Sequence, residues 1–134
     1  MTLAVDASFV VAALVDSGPE GSWADALLDS DDLVAPHLMQ VEAANIIRRT
    51  EAAGQIAADT AALAHADLLE VRVALFAYEP FAPRVWELRH HLPAYDALYV
   101  AIAETLDADL ATLDRRLARA TGPRCGFRLP PGSG

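Results

Sequence analysis

Four carboxylates in this chain of 134 residues stand in apolar surroundings, where an ionised side chain needs a reason to be. Asp6 separates the apolar run "TLAV" from "ASFVVAALV". Asp114 follows "LATL" and precedes "RRLARA". Asp96 lies in the first turn of "AYDALYVAIAETL", a segment apolar on every helical face from Ala97 to Ala103 and therefore read as buried. Glu42 has Leu38, Met39 and Ile46 at i−4, i−3 and i+4, which puts it on the apolar stripe of its helix. Each has an ordinary explanation. Asp6 and Asp114 can cap helices, and Asp96 suits the positive end of a helix dipole. Glu42 can snorkel from the edge of the stripe, with Asn45 and Arg49 near it on the same helix as partners.

Together the four ask for more. Two like charges about 4 Å apart repel by ~4 kcal/mol at an effective dielectric of ~20, so a cluster of four needs a cation. The chain has no lysine to supply one. Hard oxygen donors, with no cysteine near them, favour Mg²⁺ or Mn²⁺. Ser8 stands two residues after Asp6, and Thr112 two before Asp114 on the same side of its strand. Either hydroxyl can orient a carboxylate or a water, or serve as a cap.

The elements that must carry these residues read as strands alternating with helices. Strands are expected at 2–6, 32–36, 74–80 and 109–113, with "GFRL" at 126–129 as a final edge strand. Helices are expected over 8–15 with Ser8 as N-cap, 19–29, 37–54 ending at Gly54, 59–72 capped by Asp59 and Thr60, 82–92 halted by Pro93, 94–106 and 114–120. Such alternation implies parallel pairing through right-handed crossovers. The expected fold class is α/β, a three-layer α/β/α sandwich around a central, mainly parallel sheet. Ligands of open α/β sheets gather beyond the carboxyl ends of the strands, where the winding reverses. If the strands before Asp6 and Asp114 are neighbours, both carboxylates enter one crevice there. Residues 1–129 are expected to form a single domain, with 130–134 a disordered tail.

Composition narrows the classes. No apolar run is long enough to span a membrane and no secretory leader is legible, so a cytoplasmic protein is expected. Cys125 alone forms neither an internal disulfide nor a cysteine zinc cluster. The formal net charge is −9, but residues 1–114 hold all 19 acids, whereas 115–134 hold five of the ten arginines and no acid. That basic end suits phosphates or a solvated face. An aspartyl-nucleophile phosphatase would want an acid where Ser8 stands, and a phospho-receiver would want a late lysine. The Gly-Lys-Ser/Thr loop of nucleotide switches and the Gly-x-Ser-x-Gly elbow of serine hydrolases are missing. His90 and His91 read as a solvated helix end.

The order strand–Asp-x-Ser–helix, then Glu42, then "PAYDALYVAIAE", then "LATLDRRL" resembles the PIN-domain ribonucleases, in particular the VapC-like toxins of bacterial toxin–antitoxin pairs. The resemblance runs from Asp6 to about Leu117. It implies a Mg²⁺- or Mn²⁺-dependent endoribonuclease, a homodimer, and a cognate VapB-like antitoxin that blocks the site. It implies Asp6, Glu42, Asp96 and Asp114 as the catalytic, metal-holding quartet, with Ser8 and Thr112 as auxiliary hydroxyls. Arg115, Arg116 and Arg119 are expected to contact RNA. The alternative is a PIN-like module that binds RNA or protein without cutting.

Overall fold

The runs "TLAV", "DLVAP" and "DLA" are apolar enough to be covered on both faces, as strands of a parallel sheet between helix layers must be. In the computed structural model, which describes residues 1–132, they form β1 (Thr2–Val5), β2 (Asp32–Pro36) and β4 (Asp109–Ala111). β3 (Val73–Phe76) and β5 (Phe127–Arg128) complete a five-stranded, all-parallel sheet of order β3-β2-β1-β4-β5. β1 is central, with Leu3 opposite Leu33 on one side and Asp109 on the other. The chain winds outward from β1 through β2 to β3, then returns to β1's other flank with β4. The winding therefore reverses between β1 and β4.

Seven α-helices are found among the described residues: α1 (Ala7–Val15), α2 (Pro19–Ser30), α3 (Leu38–Ala52), α4 (Ala58–Glu70), α5 (Ala82–Glu87), α6 (Ala94–Thr105) and α7 (Arg115–Arg119). α1 packs on α2, α3 and α4. α6 packs directly on β1, β2 and β4, with α5 against it. Right-handed crossovers with a reversal at β1 put these two groups on opposite faces, giving the expected three layers. α6 is buried without interruption from Ala97 to Ala103, as its all-round apolar sequence requires. Its amino end, carrying Asp96, meets the carboxyl ends of the strands.

Several boundaries differ from the sequence reading, each for a local reason. The cap of α1 is Asp6 rather than Ser8: Asp6 Oδ1 accepts the Phe9 N–H at 3.0 Å. α4 starts at Ala58 with no side-chain cap, and Asp59 falls inside its first turn. β3 ends at Phe76, and Glu79–Phe81 form a 3₁₀ turn instead of extending the strand. α5 stops at Glu87, because Leu88 and Leu92 must both turn inward before Pro93, which holds residue 92 out of the helical region. Gly54 takes the left-handed conformation (φ 75°) that stops α3, as expected. Of the segment 130–134, Pro130 is buried and its carbonyl accepts Arg115 Nη2 at 3.0 Å; residues 133 and 134 lie outside the described residues.

Candidate active site

Asp6 leaves β1 at the winding reversal, and its own N–H still donates to Ala111 O of β4 at 3.2 Å. Its carboxylate is the hub of the site. Oδ1 accepts from the Ser8 hydroxyl (2.6 Å) and the Phe9 N–H, and Oδ2 accepts from the Thr112 hydroxyl. Thr112 is fully buried and its Oγ1 in turn accepts the Asp114 N–H at 3.0 Å. Ser8 Oγ accepts the Leu113 N–H at 3.2 Å. The two hydroxyls thus lace the end of β1 to the end of β4 through a single carboxylate. Asp114 caps α7, its Oδ1 taking the N–H groups of Arg116 and Leu117.

Asp96 and Glu42 approach from the two helix layers. Asp96, on the first turn of α6, is half-buried and makes no side-chain hydrogen bond or ion pair among the described residues. Glu42, on α3, is held by neither Asn45 nor Arg49, the partners its own helix suggested. Instead the buried Tyr99 of α6 donates its hydroxyl to Glu42 Oε1 at 2.5 Å, while Asn45 Oδ1 accepts from Arg48 Nε. All four acids, with Ser8, Asn45, Arg49 and Tyr99, line one crevice of about 380 Å³.

The electrostatics agree with that grouping. Burial raises the Asp6 carboxyl above its ordinary value against the lowering effect of its three donors, and the charge of Asp114 adds to the rise. Asp96 is pushed up to about 6, first by burial and then by Asp114, Asp6 and Glu42 in turn. One half-buried carboxyl thus feels the other three acids at once. Arg49 is the basic residue of the lining, and it stands beyond ion-pair distance of every carboxylate among the described residues.

These residues fit a hard divalent cation in donor type and charge: carboxylate and hydroxyl oxygens, with neither thiol nor imidazole in the lining. The fit does not extend to a preformed cage. Among the described residues no three acidic side chains converge on one point, so an ion shared by three would require at least one of them to turn about its side-chain bonds. A larger groove of about 1160 Å³ at the opposite end of the strands also carries acids, including Asp29, Asp32 and Asp67. It lies off the amino ends of the strands and has Arg72 in its lining, and its Asp31 is paired with Arg128 at 3.5 Å. Its other acids, Asp29, Asp32, Asp67 and Glu70, are exposed, so it lacks the partly buried charge of the crevice.

Of the arginines expected to meet a substrate, Arg116 and Arg119 are exposed on α7, while Arg115 is turned to Pro130 O; none of the three lines the crevice. Two lining residues carried more than the sequence suggested. Tyr99 holds Glu42, and its only sequence signal is its i+3 spacing from Asp96 on one helical face. Arg49 faces the crevice, following Glu42 and Asn45 along one stripe of α3.

The PIN domain family model matches residues 3–123. Ribonuclease VapC1 of Mycobacterium tuberculosis is 37% identical over 129 residues, which cover 93% of this chain and 95% of that protein. Among solved structures, PAE2754 from Pyrobaculum aerophilum superposes with a TM-score of 0.69 at 21% identity, covering 95% of this chain and 83% of that one. Mycobacterium tuberculosis VapC20, described as a Sarcin-Ricin loop cleaving toxin, superposes at 0.65 and 18% identity, covering 86% and 92%.

Proposed function

Because the chain belongs to the PIN-domain family, we propose that it is a divalent-metal-dependent endoribonuclease, the toxin of a toxin–antitoxin pair, acting in the cytoplasm on RNA. The observation that carries this reading is Asp96: a half-buried carboxyl without a partner, raised first by its burial and then by three further acids around one crevice. Carboxyls perturbed by burial and by like charges concentrate at functional sites, and a bound divalent cation would relieve the repulsion. The curated relative named a ribonuclease spans nearly the whole chain, which supports the same chemistry. Mg²⁺ or Mn²⁺ is the proposed ion, held by Asp6, Asp96 and Asp114 with Glu42.

When bound, a divalent ion supplies Lewis acidity toward a phosphodiester oxygen and an attacking water. The protein's own residues do the rest. Ser8, Thr112 and the Phe9 N–H fix the Asp6 carboxylate, so no reorganisation is needed when charge develops beside it. Asp114 keeps its register because its other duty, capping α7, ties Oδ1 down. Arg49, at the wall of the crevice, offers a guanidinium to an RNA phosphate, and Arg116 and Arg119 offer theirs to flanking phosphates. The crevice is anionic, so a VapB-like antitoxin is expected to block it with an Arg or Lys. Among the described residues no helix is long and apolar enough to cross a membrane.

The test is cleavage of total RNA by the free, purified protein. Mg²⁺ or Mn²⁺ should support cutting, a chelator should stop it, and Asp96→Asn should abolish it. Cleavage that survives both chelation and the substitution would overturn the reading, and binding of RNA without cutting in Mn²⁺ would favour a non-catalytic module.

A further inference from the structure

Tyr99 is 3% exposed and lies deep in the apolar length of α6, yet its hydroxyl is spent on a different helix. It donates to Glu42 Oε1 of α3 across 57 residues of sequence. Asp96 sits one turn before Tyr99 on the same helical face. The face of α6 that presents one acid of the crevice thus also restrains another. Glu42 Oε2 has no hydrogen-bond partner among the described residues. A glutamate has three rotatable side-chain bonds, and no residue of its own helix hydrogen-bonds this one among the described residues.

We propose that Tyr99 is a positioning residue: its hydroxyl clamps Glu42 Oε1, leaving Oε2 as the oxygen offered to the crevice, and sets the separation of Glu42 from Asp96. The inference rests on the reading of the crevice as an ion site and adds to it a residue that touches neither ion nor RNA. A tyrosine present only for packing would lose nothing functional on removal of one oxygen, because Phe fills the same space.

Calorimetric titration with Mn²⁺ alone, on the full chain without RNA, distinguishes the two. Four proteins are needed: the parent, Tyr99→Phe, Glu42→Ala and the double variant. Removing an outer partner that orients a ligand costs about 10- to 100-fold in metal affinity, so Tyr99→Phe should bind Mn²⁺ at least about 10-fold more weakly. Against the Glu42→Ala background the same substitution should have no effect, because the carboxylate it acts through is gone. Unchanged affinity in Tyr99→Phe, with Glu42→Ala weakened, would overturn the positioning role and leave the ion site standing. Equal losses in both backgrounds would make Tyr99 a structural residue only. Parent-like binding in Glu42→Ala would remove Glu42 from the site, and the role of Tyr99 with it.

Discussion

Asp6 fills two roles that the sequence presented as alternatives. It caps α1 through Oδ1 and it is an anionic member of the crevice, held by two hydroxyls. Asp96 separates the charge effect more cleanly, since it has no hydrogen bond to lose. Asp96→Asn should raise the chelator-treated melting temperature by the equivalent of about 1 kcal/mol. It should also forfeit much of the stabilisation by excess Mn²⁺, which for the parent is about 2.7 kcal/mol at a hundredfold excess over Kd. Equal Mn²⁺-induced shifts in parent and variant, by thermal unfolding, would count against the assignment. The pH dependence has a definite sign. Asp96 titrates near about 6 when folded and near 3.8 when not, so between those values the native state binds more protons and stability falls as pH rises. Asp6 contributes in the same direction. Glu104 works the other way: burial raises its carboxyl, but Arg84 and the Arg124 N–H outweigh that and lower it, so its contribution is lost as pH falls. The metal-free melting temperature should therefore drop from about pH 5 to about pH 7, less so in Asp96→Asn. Arg49→Ala should weaken RNA binding and reduce its log–log salt slope by about 0.7 to 0.9, one phosphate contact. The four acids were legible because a charge amid apolar residues stands out. Tyr99 was not, because a tyrosine on a buried helix reads as core, and its contact with Glu42 exists only once α3 and α6 are placed.

At the scale of elements, the lacing of β1 to β4 is the feature most open to test. Thr112 is fully buried, donates to Asp6 and accepts from the Asp114 N–H. Thr112→Val keeps the shape and orphans both partners, at a cost of about 1–3 kcal/mol. Urea unfolding should show that loss, and Thr112→Ser should recover most of it; a Val variant as stable as the parent would mean the hydroxyl bridge carries no weight. The existence of every strand and helix could be read from apolar runs punctuated by Gly, Pro and Asp. Which strands are neighbours could not. The β1–β4 pairing that brings Asp6 to Asp114 depends on the crossover reversing, a property of packing rather than of any local segment. The ends of α5 and β3 were misjudged for the same reason, since helix and strand propensity ran on where tertiary contacts of Leu88, Leu92 and Phe81 bent the chain.

Over the whole molecule the charges are segregated, with acids in the body and arginines toward the carboxyl end. Part of that basic segment is structural. Arg128 pairs with Asp31 and Asp109, and Arg115 reaches Pro130 O. The part free to meet a polyanion is correspondingly small, which makes a cation in the crevice more necessary. Val41, Leu63, Leu69 and Trp86 remain exposed, and a dimer is expected by sedimentation at micromolar concentration; a monomer there would contradict it. On the proposed reading, the four acids form one ion site at the β1–β4 reversal. An anomalous-difference map from crystals soaked in Mn²⁺ tests it directly. A manganese peak is expected there, bounded by the carboxylates of Asp6, Asp96 and Asp114, with Glu42 Oε2 turned toward it. No peak there at saturating Mn²⁺, or a peak only in the groove beside Asp29, Asp32 and Asp67, would contradict it.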